Sequence, residues 1–247
     1  MEMRNKVYIF LLLLILQTSC NKESAPDCFK TAGQEVAIRR STGVFENLEL
    51  EDYINIELVD SSDFAVELIG PINVLPKIIT EVSGNTLYIR NENTCNFVRS
   101  FKKTVTVRIY APSINHIENR GTGDIRSIGV LSQNYFKLEN RHASGTINIS
   151  FEGDSISIYT HTGVSDVYLS GNALKCELFN QGIGIIDARE MQVEQAFLNN
   201  SSINSMYAFS SNYLFSGINF SGNNYVFGNP ALIDEEDNAE GELILSN

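Results

Sequence analysis

Ile117-Glu118-Asn119-Arg120 is the first of five related segments in the second half of the chain. The other four are Leu138-Glu139-Asn140-Arg141, Ile158-Tyr159-Thr160-His161, Leu178-Phe179-Asn180-Gln181 and Leu198-Asn199-Asn200-Ser201. Their first residues lie 21, 20, 20 and 20 positions apart. Each segment leads into a turn of mostly small residues, and the apolar residues that follow these turns are Ile125, Ile147, Val167, Ile186 and Met206. A fixed period of this length is typical of stacked repeats.

The repeat predicts a β-solenoid, because one coil of about 20 residues is too small to bury its own apolar face while stacked coils bury a continuous one. The first residue of each segment would form an inward ladder with rungs about 4.8 Å apart. The third residues would form a polar ladder of Asn119, Asn140, Thr160, Asn180 and Asn200, with amides bonding along the stack. Helices are disfavoured by the many Gly, Ser and Asn residues. The predicted fold class is all-β: a right-handed parallel β-helix-like solenoid of ~20-residue coils, preceded by an N-terminal strand-rich section.

The first half alternates apolar and polar residues, which indicates half-buried strands at 53–59, 64–69, 86–90 and 104–110. A short helical turn fits only at 72–80. We expect a single all-β domain at 34–247. It would comprise the strand-rich part at 34–112, the solenoid repeats at 113–230 and a C-terminal cap at 231–247.

The N-terminus has the pattern of a bacterial lipoprotein signal. Arg4 and Lys6 precede an apolar run at 7–16, which is shorter than the roughly 20 residues that a spanning helix needs. Small residues then lead to Cys20. We predict a signal peptide at 1–19, lipidation of Cys20 and a polar tether at 20–33; the alternative is an ordinary secretory signal cleaved nearby. The predicted location is the outer membrane or cell surface, with a periplasm-facing arrangement as the alternative.

Export to an oxidising compartment allows the remaining cysteines to pair. Cys28 and Cys95 both lie in polar, turn-rich segments, and we predict a disulfide between them. Cys176 lies within a strand pattern and is predicted to be a buried free thiol.

The composition limits the classes of ligand. The 247 residues carry 30 acidic and 18 basic side chains, a formal net charge of −12. This excess of acidic residues disfavours binding to nucleic acid and binding to a membrane through a polybasic surface, because both interactions depend on Lys and Arg. Four Cys, three His and no Trp leave little material for a zinc cluster or a haem site, so we expect no metal and no cofactor.

The chain resembles the putative auto-transporter adhesin, head GIN domain family of exported Bacteroidetes proteins, over roughly 45–247. The resemblance rests on Phe45-Glu46-Asn47-Leu48-Glu49-Leu50, Ile114-Asn115-His116-Ile117-Glu118, Gly121-Thr122-Gly123-Asp124 and Tyr225-Val226-Phe227-Gly228-Asn229-Pro230. The segment at 90–100 is similar to a Cys-bearing subgroup of that family. The resemblance implies an all-β, solenoid-like fold and a cell-envelope location, and it transfers no catalytic or binding residue.

One outward stripe is a candidate ligand-facing surface: Arg120, Arg141, His161 and Gln181 would stack on neighbouring coils and could contact acidic sugars or a carboxylate. The alternative interpretation is a solvated exterior ladder. His116 and His142 lack partners at metal-ligand spacing and are interpreted as surface residues.

Three further features have a structural and a functional interpretation. Asp124 and Asp166 share a column two rungs apart and could be a catalytic pair, but we favour each bonding backbone groups in its own turn. The acidic run 234–237 could hold calcium weakly, but we favour a solvated turn. A C-terminal aromatic cluster could stack on sugars, but we favour its closing the core of the last coils; it comprises Tyr207, Phe209, Tyr213, Phe215, Phe220, Tyr225 and Phe227.

The sequence therefore predicts a cell-envelope lipoprotein that is not an enzyme. Its expected role is binding or structural, and surface adhesion is the specific role that we consider. Its expected partners are the membrane, through the lipid anchor, and a glycan or surface protein. One alternative is a solenoid-type carbohydrate-active enzyme. The other is a periplasm-facing envelope sensor or scaffold protein.

Overall fold

The computed structural model describes residues 31–94, 104–237 and 239–246. The predicted signal peptide, Cys20, Cys28 and Cys95 lie outside these residues. Strands dominate the described chain, and a single 3-10 helix occurs there, Leu75–Lys77, within the stretch expected to form a helical turn. None of the helical structure in these ranges is long and apolar enough to cross a membrane.

Nineteen strands follow one another along the described residues. They are β1 (Glu35–Ser41), β2 (Asn47–Leu50), β3 (Asn55–Asp60), β4 (Ala65–Pro71), β5 (Ile78–Ser83), β6 (Thr86–Asn91), β7 (Thr106–Ala111), β8 (His116–Asn119), β9 (Ile125–Ser127), β10 (Leu131–Ser132), β11 (Tyr135–Ala143), β12 (Thr146–Gly163), β13 (Asp166–Asn180), β14 (Ile186–Asn200), β15 (Met206–Phe209), β16 (Tyr213–Ile218), β17 (Asn224–Phe227), β18 (Leu232–Asp237) and β19 (Leu243–Ser246).

Apart from β10, which pairs with the middle of β12, the strands stack as two faces of a β-solenoid, which confirms the predicted fold class. Sheet I runs in the order β5, β6, β2, β8, β11, β12, β13, β14, β16 and β18. Sheet II runs β1, β4, β7, β3, β9, β12, β13, β14, β15, β17 and β19. The long strands β12, β13 and β14 belong to both faces, because each bends from sheet II into sheet I.

The N-terminal coils are stacked out of sequence order. In sheet I, β2 pairs in parallel with both β6 and β8, and in sheet II β3 pairs in parallel with both β7 and β9. The coil formed by β2 and β3 therefore lies between the coil of β6 and β7 and the coil of β8 and β9. Antiparallel pairing of β1 with β4, β4 with β7 and β5 with β6 covers this end of the stack.

The inward apolar ladders lie where the repeat places them. In sheet I the aligned residues include Ile117, Leu138, Ile158, Leu178 and Leu198, all at most 1% exposed. Sheet II aligns the five predicted residues that follow the turns, from Ile125 to Met206. Each fully buried aliphatic side chain contributes about 1.5–3 kcal/mol relative to an exposed one, so the two ladders form the main core.

A polar ladder follows the apolar ladder of sheet I and is buried with it. Asn119 Nδ2 donates to Asn140 Oδ1 at 2.7 Å, and Thr160 Oγ1 donates to Asn180 Oδ1 at 2.6 Å. Asn180 also accepts from the Gly182 backbone N–H at 3.1 Å and donates to the Gly184 carbonyl at 3.0 Å. The predicted bonding along the stack is present within these two pairs, and Asn119, Asn180 and Asn200 also accept from backbone N–H groups of the turns that follow them.

Two turn glycines mark places where coils approach too closely for a side chain. A Cβ at Gly184 would lie 1.8 Å from the Ser165 carbonyl oxygen, and one at Gly163 would lie 2.0 Å from that of Ala143. Gly163 also has a φ of +117°, which favours glycine. These turns therefore allow the coils to close at the backbone spacing of the sheets.

A ladder of alternating charge joins the N-terminal strands on the outside of sheet II. Glu67, Arg108, Glu57 and Arg126 are aligned in register on β4, β7, β3 and β9. Arg108 Nε lies 2.7 Å from Glu57 and its Nη1 lies 3.0 Å from Glu67, while Arg126 also bonds Glu57. Burial alone would raise the pKa of Glu57, but the bonds from Arg126 and Arg108 outweigh it and lower that pKa. The ladder thus links β3 to both of its neighbours.

The buried amide of Asn180 gives the first prediction. Replacing Asn180, which is 1% exposed, with Ala leaves buried donors and acceptors unpaired. The free energy of unfolding should fall by about 2–3 kcal/mol. Urea unfolding of Asn180→Ala measures this change, with Asn172→Ala as the control because Asn172 is exposed on β13. Equal stability of the two variants would contradict the assignment of the polar ladder as a stabilising element.

Candidate functional site: an aromatic groove outside sheet I

Four aromatic side chains face outward from sheet I on four consecutive coils. Tyr159 on β12 aligns with Phe179 on β13, and Phe197 on β14 aligns with Phe215 on β16. All four are half-buried. The residues that alternate with them point into the core, so the aromatic rings point outward. The rings of Tyr159 and Phe179 meet edge to face with centroids 6.2 Å apart.

These rings line an open depression of about 400 Å³, here called the aromatic groove. Leu178 and Leu198 form its floor, and the remaining lining residues are His161, Glu177 and Asn199. Its volume is in the range of ligand sites in proteins.

Gly217 lies beside Phe215 at one end of the aromatic groove. Gly217 continues the outward column of Phe179 and Asn199. A Cβ at this position would lie 3.4 Å from Phe215, which is an ordinary contact. A Cβ is therefore sterically tolerated at Gly217, where it would contact the Phe215 ring.

Glu177 forms a polar edge of the groove. Tyr159 Oη donates to its Oε1 at 2.6 Å, and Lys175 Nζ lies 3.4 Å from its Oε2. The Lys175 ammonium also lies 4.5 Å from the centroid of the Phe197 ring. Burial and the bond to Glu177 raise the pKa of Tyr159, so its hydroxyl stays protonated. The carboxylate is thus held in place at the rim.

His161 and Asn199 provide neutral polar groups. The His161 ring packs on Phe179 with centroids 5.5 Å apart, and its buried Nε2 has no hydrogen-bond partner among the described residues. Burial and the charge of Arg141 lower the pKa of His161, so its ring is neutral at pH 7. Asn199 Oδ1 accepts from Asn219 Nδ2 at 3.0 Å, which orients its amide.

The predicted stripe of Arg120, Arg141, His161 and Gln181 is only partly assembled. A register shift after Asn140 places Arg141 opposite Thr162. Arg120 lies 2.6 Å from Glu118, and Arg141 lies 2.6 Å from Glu139 and 3.8 Å from Glu118. Gln181 is exposed on the next coil. Both arginines are therefore paired with carboxylates, and His161 faces the aromatic groove.

Glu139 is the centre of a charged cluster beside the groove. Lys137 and Arg141 bond its carboxylate, and the Nε2 atoms of His116 and His161 lie 3.9 and 3.7 Å from it. Burial alone would raise the pKa of Glu139, but the bonds and charges of Lys137 and Arg141 outweigh it and lower the pKa to about 2. Glu139 is therefore ionised across the neutral range.

Asp124 and Asp166, the candidate catalytic pair, are used in the backbone. Asp124 Oδ1 accepts from the Thr146 backbone N–H at 2.8 Å, and Asp166 Oδ1 accepts from that of Ile185 at 3.0 Å. We expected each to bond within its own turn; instead each bonds the next coil, because the equivalent turn follows about one period later. The acidic run 234–237 is also not a turn, since it lies in β18, where Asp234 accepts from Tyr213 Oη at 2.7 Å.

The prediction that the C-terminal aromatic cluster closes the core is wrong. Met206, Ala208, Leu214 and Val226 fill the core of the last coils. The aromatic residues alternate with them and face outward, and Tyr207 stacks on Tyr225 with centroids 5.0 Å apart. Sequence reasoning missed Tyr159, Phe179 and Phe197 as a site. The available signal was their position directly beside the ladder residues Ile158, Leu178 and Leu198.

Cys176 is a buried free thiol, as predicted. Burial raises its pKa to about 12, which disfavours the thiolate that a nucleophile requires. In the part of the chain that the structure describes, no three His, Cys, Asp or Glu side chains are grouped to hold a metal ion.

Fold and groove together define the class of protein: a parallel β-solenoid with an aromatic ligand-sized groove on its exterior. Residues 44–230 match the family model described as "Putative auto-transporter adhesin, head GIN domain", and the chain belongs to this family. None of the curated proteins matches the chain.

Solved structures of similar proteins share the fold. A putative adhesin from Bacteroides fragilis is 19% identical with a TM-score of 0.80, covering 86% of this chain and 97% of its own. A putative lipid binding protein from Parabacteroides distasonis is 14% identical with a TM-score of 0.61, covering 87% and 98%. A putative adhesin from Parabacteroides merdae is 13% identical with a TM-score of 0.60, covering 88% and 98%. Family membership supports a binding role, and the solved structures show that the fold is shared.

The Glu139 cluster gives a prediction of pH dependence. The pKa of Glu139 in the folded protein is about 2, below the ordinary value of 4.5. The contribution of the Glu139 carboxylate to stability is therefore full above pH 4.5 and is lost as the pH falls towards 2. Glu139→Gln should lower the free energy of unfolding at pH 7 by about 2–3 kcal/mol. This deficit should shrink as the pH falls, because wild-type Glu139 is then also protonated. Urea unfolding across this range measures it, with exposed Glu152→Gln as the control; a deficit that stays constant with pH would contradict the prediction.

Proposed function

We propose that the chain is an exported lipoprotein that binds an extended ligand at the cell envelope, with surface adhesion as its biological form. The observation that carries this proposal is the aromatic groove, which is open at the surface and built from four consecutive coils. An open groove across coils suits a polymer better than a small substrate, which enzymes usually enclose.

Family membership supports the adhesive role, and so do the two adhesins with the same fold. The lipid anchor at Cys20 rests on the basic, apolar and small-residue pattern of 1–20. Two or more acyl chains on Cys20 would hold the protein stably at a membrane. The enzyme alternative is weakened because Asp124 and Asp166 bind backbone N–H groups.

Protease shaving of intact cells tests the location. An antibody against residues 34–247 should show degradation of the protein while periplasmic control proteins survive. A Cys20→Ser variant should be released from the membrane fraction, since it lacks the thiol that carries the lipid.

Protection from external protease would instead favour the periplasm-facing sensor or scaffold and would overturn surface adhesion. Retention of Cys20→Ser in the membrane fraction would contradict lipid anchoring while leaving the binding role intact.

A further inference from the structure

We propose that the aromatic groove binds a neutral glycan chain, with successive sugar rings stacked on Tyr159, Phe179, Phe197 and Phe215. This inference rests on the proposed binding function and specifies its ligand. The ligand we infer is built from uncharged hexose or N-acetylhexosamine units. The reasons are the spacing of the rings, the polar groups at the rim and the charge around the groove.

The spacing of the rings suits a chain of linked sugars. Adjacent strands of sheet I are about 4.8 Å apart, so the four aromatic side chains span roughly 14 Å along the stack. A pyranose presents C–H groups on its ring faces and hydroxyl groups around its edge. The negative faces of aromatic rings attract such C–H groups, and half-buried rings expose that surface without enclosing the ligand.

The rim of the groove matches the edges of sugar rings. Glu177 offers a carboxylate held by Tyr159 and Lys175, and Asn199 offers an amide oriented by Asn219. His161 lines the groove with a neutral ring packed on Phe179, while its buried Nε2 lies towards Glu139. Acceptors and donors thus flank the aromatic faces, as stacked sugars with peripheral hydroxyl groups require.

Charge and openness disfavour the other ligands that aromatic rings can hold. Glu177 is paired with Lys175 at the rim, and the arginines of the neighbouring stripe are paired with Glu118 and Glu139, so no unpaired positive charge of the described residues is available to attract acidic sugars there. Nucleobases also stack on aromatic rings, but the net charge of −12 opposes a phosphate backbone. An acyl chain on an open groove would keep much of its surface in water, which lessens the gain from its burial.

Two substitutions probe the groove in different ways. Phe197→Ala removes one stacking ring, and Gly217→Leu adds a bulky side chain against the Phe215 ring without removing any ring. The control is Tyr168→Ala, because Tyr168 faces outward on sheet II and is 38% exposed. Thermal unfolding of each full chain verifies that the variants are folded.

The experiment measures binding of the purified full chain to neutral, acidic and amino-sugar oligosaccharides and to phosphatidylcholine vesicles. We expect a neutral oligosaccharide to bind, and binding should weaken about tenfold in Phe197→Ala and in Gly217→Leu, the scale of one lost stacking contact. The Tyr168→Ala variant should bind within about twofold of wild type.

Three results would overturn the inference: binding only of acidic sugars, binding only of vesicles, or loss of glycan binding in Tyr168→Ala with full binding in both groove variants. A second assay compares the adhesion of intact cells with and without the protein. It distinguishes failure of the glycan inference from failure of the proposed adhesive function. Cells that adhere through the protein while it binds no neutral glycan refute the ligand alone. Cells that adhere equally well without the protein refute the adhesive function itself.

Discussion

Backbone pairing between successive coils is the constraint on which the rest of the molecule depends. Because β11 to β14 pair in parallel at an offset of about one period, each side chain has its counterpart directly above and below it. Apolar counterparts form the core ladders, buried polar side chains bond between neighbouring coils, and four outward aromatic residues of sheet I line one groove. The same constraint requires glycine at 184 and 163, where a Cβ would meet the carbonyl of the preceding coil.

Much of this arrangement could be predicted from the repeat. A period of about 20 residues determines which residues stack, so the ladder from Ile117 to Leu198 and the polar ladder beside it followed directly. The same argument was less successful outside the core. Phe215 and its aromatic neighbours were assigned to the interior because aromatic residues are usually buried, whereas small residues such as Ala208 already fill that space.

The position of the β2–β3 coil could not be predicted for a different reason. Alternation of apolar and polar residues shows that a segment is a strand and which side is buried, but it does not specify the neighbouring strand. Here the strands on either side of β3 each carry an arginine, Arg108 and Arg126, that forms an ion pair with Glu57 of β3. Such charge pairs are recognisable only once the register is known, because Glu57 and Arg126 are 69 residues apart.

The out-of-order coil also affects how the chain reaches its folded state. A solenoid whose coils stack in sequence order can grow by adding one neighbour at a time. The β2–β3 coil is made early in the chain, yet its partners β8 and β9 on one side and β6 and β7 on the other follow it. Long loops must therefore close before this end of the stack is complete, and contacts between distant residues slow folding. We therefore expect the C-terminal coils to assemble readily and the N-terminal end to be the slower, rate-limiting part of folding.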